Sequence, residues 1–314
     1  MSAITIGRPS DIFSYQRCAR YFMLSKTWEW GGPARPGLME LGTLTHHLLS
    51  ATLMRQACSG TTKRFPDVDL TSISLAEIDP MWMSEEAQLH IERMYPEDQA
   101  AQTQAMIEHL PYAIAMCRSV IAYFERSDFF ATWKIISIEK PYELNIGDRK
   151  LSCTPDMVLL HRVIGHGGIL DYKTKGNLSA GLHVRDWQLN CYALAVEEST
   201  DMEVFHGQHL KIKRVKTTKN VKGPFVDPEE IRFSPTRLAR ARVELEALLE
   251  RVENDKLWLP TPTGNCKSRR CQYLDACEAW DGSDDHEYVL RQTHVPIRSK
   301  SASSEEGTAA DPAG

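Results

Sequence analysis

The chain has 314 residues, of which 42% are hydrophobic and 25% charged, an ordinary balance for a soluble globular protein with a sizeable core. A formal net charge of -5 (pI ≈ 6.1) excludes a globally basic binder of polyanions, so contact with nucleic acid has to come from a local basic patch. The start, MSAITIGRPSDIF, lacks the basic flank and apolar core of a signal peptide and no run approaches a membrane span, so a cytoplasmic protein without a membrane partner is expected.

In chain order, Asp11–Lys26 predicts an amphipathic helix capped by Ser10 or Asp11, with Ile12, Tyr15, Ala19 and Phe22 at helical spacing and Cys18 within it. Gly31–Gly37 breaks the pattern, and a second helix is expected over Leu38–Gln56. A helical insertion is expected over residues 58–128: a polar loop to about 82, a helix over Ser84–Met94, and a long one over Glu97–Arg126 that Pro111 should kink or split. Strand-type residues return over Phe129–Ile146, with a turn at Gly147-Asp148. Leu182–Glu198 has helical periodicity, Glu203–Arg214 and Gly223–Phe233 look like strands, and Pro235–Lys256 is a charged amphipathic helix with a core-facing apolar stripe. The order implies an α/β fold with a mixed central sheet flanked by helices, a single domain over residues 1–298, and a disordered tail over 299–314.

Between the first strands and the Leu182 helix lies LSCTPDMVLLHRVIGHGGILDYKTK, Leu151–Lys175, which predicts two strands, Ser152–Leu160 and Gly168–Thr174, joined by a Gly-rich turn. Strand alternation places Asp171 and Lys173 on one face and Tyr172 on the other. Two carboxylates, Asp156 and Asp171, repel unless a cation lies between them, and a neighbouring lysine adds a group that can orient or deprotonate water. The pattern therefore asks for a divalent metal and a hydrolytic reaction.

Pro155-Asp156 followed by Asp171-Tyr172-Lys173 resembles the signature of PD-(D/E)XK nucleases, and within that superfamily the chain is similar to the RecB-type, iron–sulfur branch that includes CRISPR adaptation nucleases and phage exonucleases. The resemblance implies a restriction-endonuclease-like core. It also implies Asp156, Asp171 and the Tyr172 carbonyl as ligands of Mg²⁺ or Mn²⁺, with Lys173 positioning the attacking water. Hard oxygen donors suit those ions better than zinc.

Two flanks extend the likeness. Gly42-x-x-x-His46 matches a family element whose histidine is a further metal ligand, although adjacent His47 leaves the register open and a packed histidine is the plainer reading. Gln188 and Tyr192, four apart on a predicted helix, match a Gln-x-x-x-Tyr element that supports the active site and contacts DNA; alone they would be a polar helix start and a core tyrosine. Glu139 falls where relatives often carry an acid, and an exposed strand glutamate explains it equally well.

Of 8 cysteines, three crowd into NCKSRRCQYLDAC as Cys266, Cys271 and Cys277, a metal-centre pattern one ligand short. The resemblance supplies Cys18 as the fourth ligand of a 4Fe–4S cluster held by segment 260–280, although relatives usually space the first pair by two residues and this chain by four. A structural zinc site is the alternative. Cys58, Cys117, Cys153 and Cys191 sit among apolar residues as expected of buried thiols. Lys211, Lys213, Arg214, Lys216, Lys219 and Lys222 form a dense basic run that could grip DNA phosphates or simply be a solvated hairpin tip; Lys267, Arg269 and Arg270 could extend it.

The expected function is metal-dependent exonuclease activity on single-stranded DNA or duplex ends, in recombination, repair, phage replication or CRISPR adaptation, with a protein partner from those pathways. The alternatives are a sequence-tolerant endonuclease or spacer-processing partner, and a non-catalytic DNA-binding module stapled by a metal centre.

Overall fold

A computed structural model of the chain describes residues 6–26, 30–31, 38–57, 79–96, 98–178, 187–215, 225–261, 266, 271–282 and 285–296. Lys216, Lys219, Lys222, Lys267, Arg269, Arg270, Cys58, the 58–78 segment and the 299–314 tail lie outside the described residues. The chain divides into two compact units, one of residues 1–5, 11–35 and 251–314 and a larger one of 6–10 and 36–250.

The single N-terminal helix expected over Asp11–Lys26 is interrupted. Helix α1 spans Pro9–Arg17 and α2 spans Ala19–Lys26, with Cys18 at the junction. Pro9 opens α1, a position where its missing N–H costs nothing, so Ser10 and Asp11 fall inside the first turn rather than capping it. A short strand, β1 (Trp30–Gly31), follows.

The larger unit begins with α3 (Leu38–Ala57) and α4 (Pro80–Met94), the latter capped by Asp79, which accepts the Met81 N–H at 2.9 Å. The long helix expected from Glu97 is divided into α5 (Gln99–Glu108) and α6 (Leu110–Arg126). Pro111 cannot donate an interior helical hydrogen bond but suits a first turn, so a new helix starts there. After α7 (Phe129–Thr132) come β2 (Trp133–Ile138), β3 (Tyr142–Ile146), β4 (Arg149–Cys153), β5 (Met157–His161) and β6 (Gly167–Lys175). Helix α8 (Trp187–Ser199), β7 (Val204–Lys213), β8 (Val226–Arg232) and α9 (Pro235–Asn254) complete the series.

The stretch Ser152–Leu160 is not the one strand its residues suggested. Ser152 and Cys153 end β4, which pairs with β3, while β5 starts at Met157 opposite Ile138 of β2. Pro155, lacking an N–H, marks the break, and the Asp156 carbonyl accepts the Glu139 N–H at 3.1 Å as the new pairing begins. Asp156 therefore stands at a strand entrance rather than in a ladder.

The central sheet has the order β2-β5-β6-β7-β8, with β6 and β7 parallel and the other neighbours antiparallel, and β3–β4 forms a separate hairpin. A parallel pair needs a crossover, which α8 supplies while packing on β3, β6 and β7. On the opposite side, Leu44 and Leu48 of α3 and Val120 and Phe124 of α6 share a core with Leu159, Leu170, Tyr172 and Leu210. Alternation along β6 thus sends Leu170 and Tyr172 into the α3–α6 core and Asp171 and Lys173 to the α8 side. The mixed α/β architecture with helices on both faces is the one expected.

In the smaller unit, α1 and α2 meet a C-terminal segment containing α10 (Leu274–Gly282), α11 (His286–Thr293) and β9 (Val295–Pro296), which pairs antiparallel with β1. Arg20, only 5% exposed, donates to Asp281 at 2.7 Å and to the Trp258 carbonyl at 3.3 Å, and Tyr15 donates to Asp255 at 2.8 Å. No described helix is long and apolar enough to cross a membrane.

Gly207 of β7 lies against the Phe233 ring: a Cβ there would come within 2.7 and 2.9 Å of two ring atoms, and Phe233 is 4% exposed and has little room to yield. Gly207→Ala is expected to destabilise the protein by about 1–3 kcal/mol, measured as a lower midpoint of urea unfolding. An unchanged midpoint would show that the ring moves freely.

Candidate active site

Asp156 and Asp171 are both buried, at 8% and 2% exposure, and a carboxylate held that far from water needs hydrogen-bond donors or positive charge beside it. Asp156 accepts the Tyr172 N–H through Oδ2 at 2.5 Å and faces His46 Nδ1 through Oδ1 at 3.1 Å. Asp171 Oδ2 lies 2.7 Å from Lys173 Nζ and 2.9 Å from His209 Nδ1. Lys173 in turn donates to Gln188 Oε1 at 2.6 Å, and Gln188 Nε2 donates to the Tyr192 hydroxyl at 2.6 Å. One hydrogen-bonded path therefore runs from the Asp171 carboxylate through an ammonium and an amide to a phenol.

The elements explain the convergence. Asp171 and Lys173 are two apart on β6 and share its α8 side, while Gln188 and Tyr192 are four apart on α8 and share its sheet-facing side. His46 comes from α3 on the other side and reaches Asp156 past the strand entrance, its ring edge-on to Tyr172 at 5.7 Å. Of the two adjacent histidines, His46 is the one that meets Asp156. His47 points to Glu86, at 2.7 Å, and stacks on His90 with ring centroids 4.0 Å apart. His46, Glu139, Lys173, Gln188, Lys175 and Arg214 line a single open cavity of about 770 Å³.

The electrostatics follow the pairing. Burial alone would raise the Asp171 pKa, but the charges and hydrogen bonds of Lys173 and His209 outweigh it and hold the carboxyl below its usual range. Burial would lower the His46 pKa, yet the Asp156 carboxylate, with help from Asp171, leaves it raised. Glu139 is raised by burial, with Asp156 adding to the effect and its hydrogen bond from Ser50 (2.7 Å) opposing it. The Tyr192 phenol is raised first by burial and then by Asp171, so the hydroxyl that accepts from Gln188 stays neutral.

Two residues here carried little signal in the sequence. Glu139 is not an exposed strand glutamate: it follows β2 with φ +46° and turns its half-buried carboxyl into the cavity. His209, 0% exposed on β7, is the register partner of Asp171 across the parallel pair. Nothing in the local spacing singles this histidine out, and the pairing that reveals it depends on the crossover.

Within the basic run, Lys211 requires correction. It is a strand residue, 6% exposed, bonded to Asp227 at 2.7 Å, Glu229 at 3.3 Å and the Leu178 carbonyl at 3.1 Å, so its ammonium is held by these acceptors rather than carried on a solvated hairpin tip. Lys213 and Arg214 are half-buried at the end of β7, where the Arg214 N–H donates to the Lys175 carbonyl at 2.8 Å.

In the smaller unit Cys18, Cys266, Cys271 and Cys277 are all free and half-buried. Burial raises the Cys271 thiol pKa, and Cys266 and Cys18 raise it further; Cys277 is likewise raised by burial, with Cys18 adding and Arg20 opposing. The four sulfurs share one electrostatic neighbourhood, with the Arg20 guanidinium 3.5 Å from Cys277 Sγ. Cys117 and Cys153 are buried thiols pushed up to about 12, and Cys191 is buried too. Among the described residues no three His, Cys, Asp or Glu side chains stand at metal-coordinating geometry.

Asp171 has a depressed folded pKa, so its contribution to stability is present above the unfolded value of about 4 and is lost as pH falls through the folded one. Lys173→Met removes the largest opposing charge and raises that folded pKa. The acid-unfolding edge, followed by circular dichroism, is expected to move to higher pH in this variant; an unmoved edge would mean that His209 alone keeps Asp171 ionised.

Comparison with known proteins places this geometry in context. The family model described as the PD-(D/E)XK nuclease superfamily matches residues 9–278. No curated protein matches. Among solved structures, the chain is similar to a protein designated SSO0001, at 16% identity and TM-score 0.32, covering 78% of this chain and 98% of that one. It is also similar to a candidate exonuclease from Eubacterium rectale, at 14% identity and TM-score 0.38, covering 84% and 86% respectively. The family match spans both acids, the lysine, the glutamine–tyrosine pair, Cys18 and the three cysteines of residues 266–277. The chain belongs to the PD-(D/E)XK nuclease superfamily.

Proposed function

We propose that this nuclease is a metal-dependent DNA exonuclease that hydrolyses phosphodiester bonds in single strands or at duplex ends. The observation that carries the reading is the pair of contact chains His46–Asp156 and Asp171–Lys173–Gln188–Tyr192, from which His46, Lys173 and Gln188 reach one cavity. His46, Asp156, Asp171 and the Tyr172 carbonyl would hold Mg²⁺ or Mn²⁺. The donor chemistry suits such an ion: two buried carboxylates that are acceptor-only when ionised, a carbonyl and an imidazole, of which the oxygens are hard donors. Bound there, the cation supplies neutralisation of charge on the phosphate and acidification of water.

The chain's own groups do the rest. Lys173, anchored by Asp171 and Gln188, directs its ammonium to where the attacking water and a phosphate oxygen meet. Gln188 gives that ammonium a second fixed acceptor besides Asp171, and Tyr192 fixes the amide's orientation. Lys175 and Arg214 on the cavity wall, with Lys213 beside Lys175 in register, offer positive charge to the phosphate backbone without reading bases.

For the smaller unit we infer a 4Fe–4S cluster on Cys18, Cys266, Cys271 and Cys277. What supports it is the shared neighbourhood of four free thiols with a buried arginine donating to one of them, which suits an anionic thiolate centre. A structural zinc is the competing occupant of the same donors. Work on DNA ends in recombination, repair, phage replication or CRISPR adaptation is the setting the resemblance suggests.

Digestion of 5′- and 3′-labelled linear DNA with Mg²⁺ or Mn²⁺, beside circular DNA, tests the main reading. Asp171→Asn and Lys173→Ala are each expected to lower cleavage by about 100-fold or more with the fold intact by circular dichroism. Cleavage at the wild-type rate in folded variants would remove the assigned site, and cutting of circles would make the enzyme an endonuclease. Cys271→Ser is expected to bleach the brown absorbance of the purified protein; colourless wild-type protein containing zinc would replace the cluster with a zinc staple.

A further inference from the structure

The histidine on the strand beside Asp171 has no part in the roles assigned so far. His209 is 0% exposed, and its Nδ1 lies 2.9 Å from Asp171 Oδ2. Parallel register sets the two residues directly across from each other on β6 and β7, and antiparallel register sets Glu229 of β8 across from His209 on its other side. Directly paired residues share a face, so the imidazole stands in a row between two acids. Burying an imidazole in a strand is costly where an isoleucine or valine would pack as well, and the geometry points to what offsets that cost.

We propose that His209 is a positioning residue for the nuclease reaction, holding Asp171 in the rotamer that presents its other oxygen to the cation; this rests on the nuclease reading above. An ionised carboxylate only accepts hydrogen bonds, so Nδ1 must carry the proton and donate it. Among the described residues the contacts of Asp171 with Lys173 and with His209 both fall on Oδ2, which anchors the carboxylate through that oxygen. The second effect falls on Lys173. With His209 donating to the same oxygen, Lys173 is not the sole partner of a carboxylate 2% exposed. Sharing Oδ2 with His209 lets Lys173 also bond Gln188 and face the cavity.

The test compares wild type, His209→Leu and His209→Asn in two readouts: Mn²⁺ affinity by calorimetry without DNA, and cleavage rate at saturating Mn²⁺. Leucine fills similar space without a donor, whereas the asparagine amide N–H falls near the position of Nδ1. His209→Leu is expected to lose about 10–100-fold in Mn²⁺ affinity or rate, with His209→Asn recovering most of it. A folded leucine variant with wild-type affinity and rate overturns the proposal while the nuclease reading stands. So does an asparagine variant no better than leucine, since the packed ring rather than its N–H would then matter. If leucine prevents folding, His209→Gln replaces it, keeping polarity while moving the donor one bond outward, and should show the same loss. Wild-type protein that neither binds Mn²⁺ nor cuts overturns both the nuclease reading and the role of His209.

Discussion

A carboxylate removed from water must be met by positive charge and hydrogen-bond donors, and Asp171 is the point where this protein meets that demand. The residue sits in the middle of the central sheet at 2% exposure, which without compensation would favour its neutral form. Lys173 on the same strand and His209 on the next one keep it charged. Each further feature of the site follows from holding those two. Lys173 needs a second anchor, which Gln188 provides; Gln188 needs its amide oriented, which Tyr192 provides. Both come from α8, the crossover that the parallel β6–β7 pair requires, so topology and chemistry share one helix.

How much of this was legible in the sequence depended on the range of the interaction. Asp171 and Lys173 are two apart on a strand, and Gln188 and Tyr192 four apart on a helix, so local periodicity places each pair correctly. The Pro111 break in the long helix was equally readable, because proline acts on its own turn. Partners set by pairing between distant strands were not. Ser152–Leu160 looks continuous until β4 is seen to pair with β3 and β5 with β2, and His209 has no meaning until the register puts it opposite Asp171. Glu139 misleads for a different reason: its backbone leaves the strand at positive φ, a conformation that a glutamate does not announce.

The smaller unit makes a similar point with thiols. Cys18 seemed to lie inside one helix, yet it occupies the junction of two, where the helical run is interrupted and its sulfur accepts the Tyr21 N–H at 3.4 Å. The other three cysteines are contributed by residues 266–277, and Arg20 reaches the last of them while also tying α2 to Asp281 and Trp258. A guanidinium buried beside thiols favours their ionised form, as the lowering effect of Arg20 on Cys277 reflects.

The two lysines of the sheet show why residue type alone could not separate the roles. Register builds two adjacent transverse rows, Asp171–His209–Glu229 and Lys173–Lys211–Asp227, on one face of β6, β7 and β8. Lys173 and Lys211 are cross-strand neighbours of like charge, a destabilising pairing unless each is turned elsewhere. Lys211 turns to Asp227 and Glu229, Lys173 to Asp171 and Gln188. The acids of β8 therefore do more than neutralise one buried lysine: by holding Lys211 away they leave the field at Lys173 governed by Asp171. A strand pair without those acids would have set two ammonium groups competing for one carboxylate, and the group aimed at the cavity would no longer have been determined.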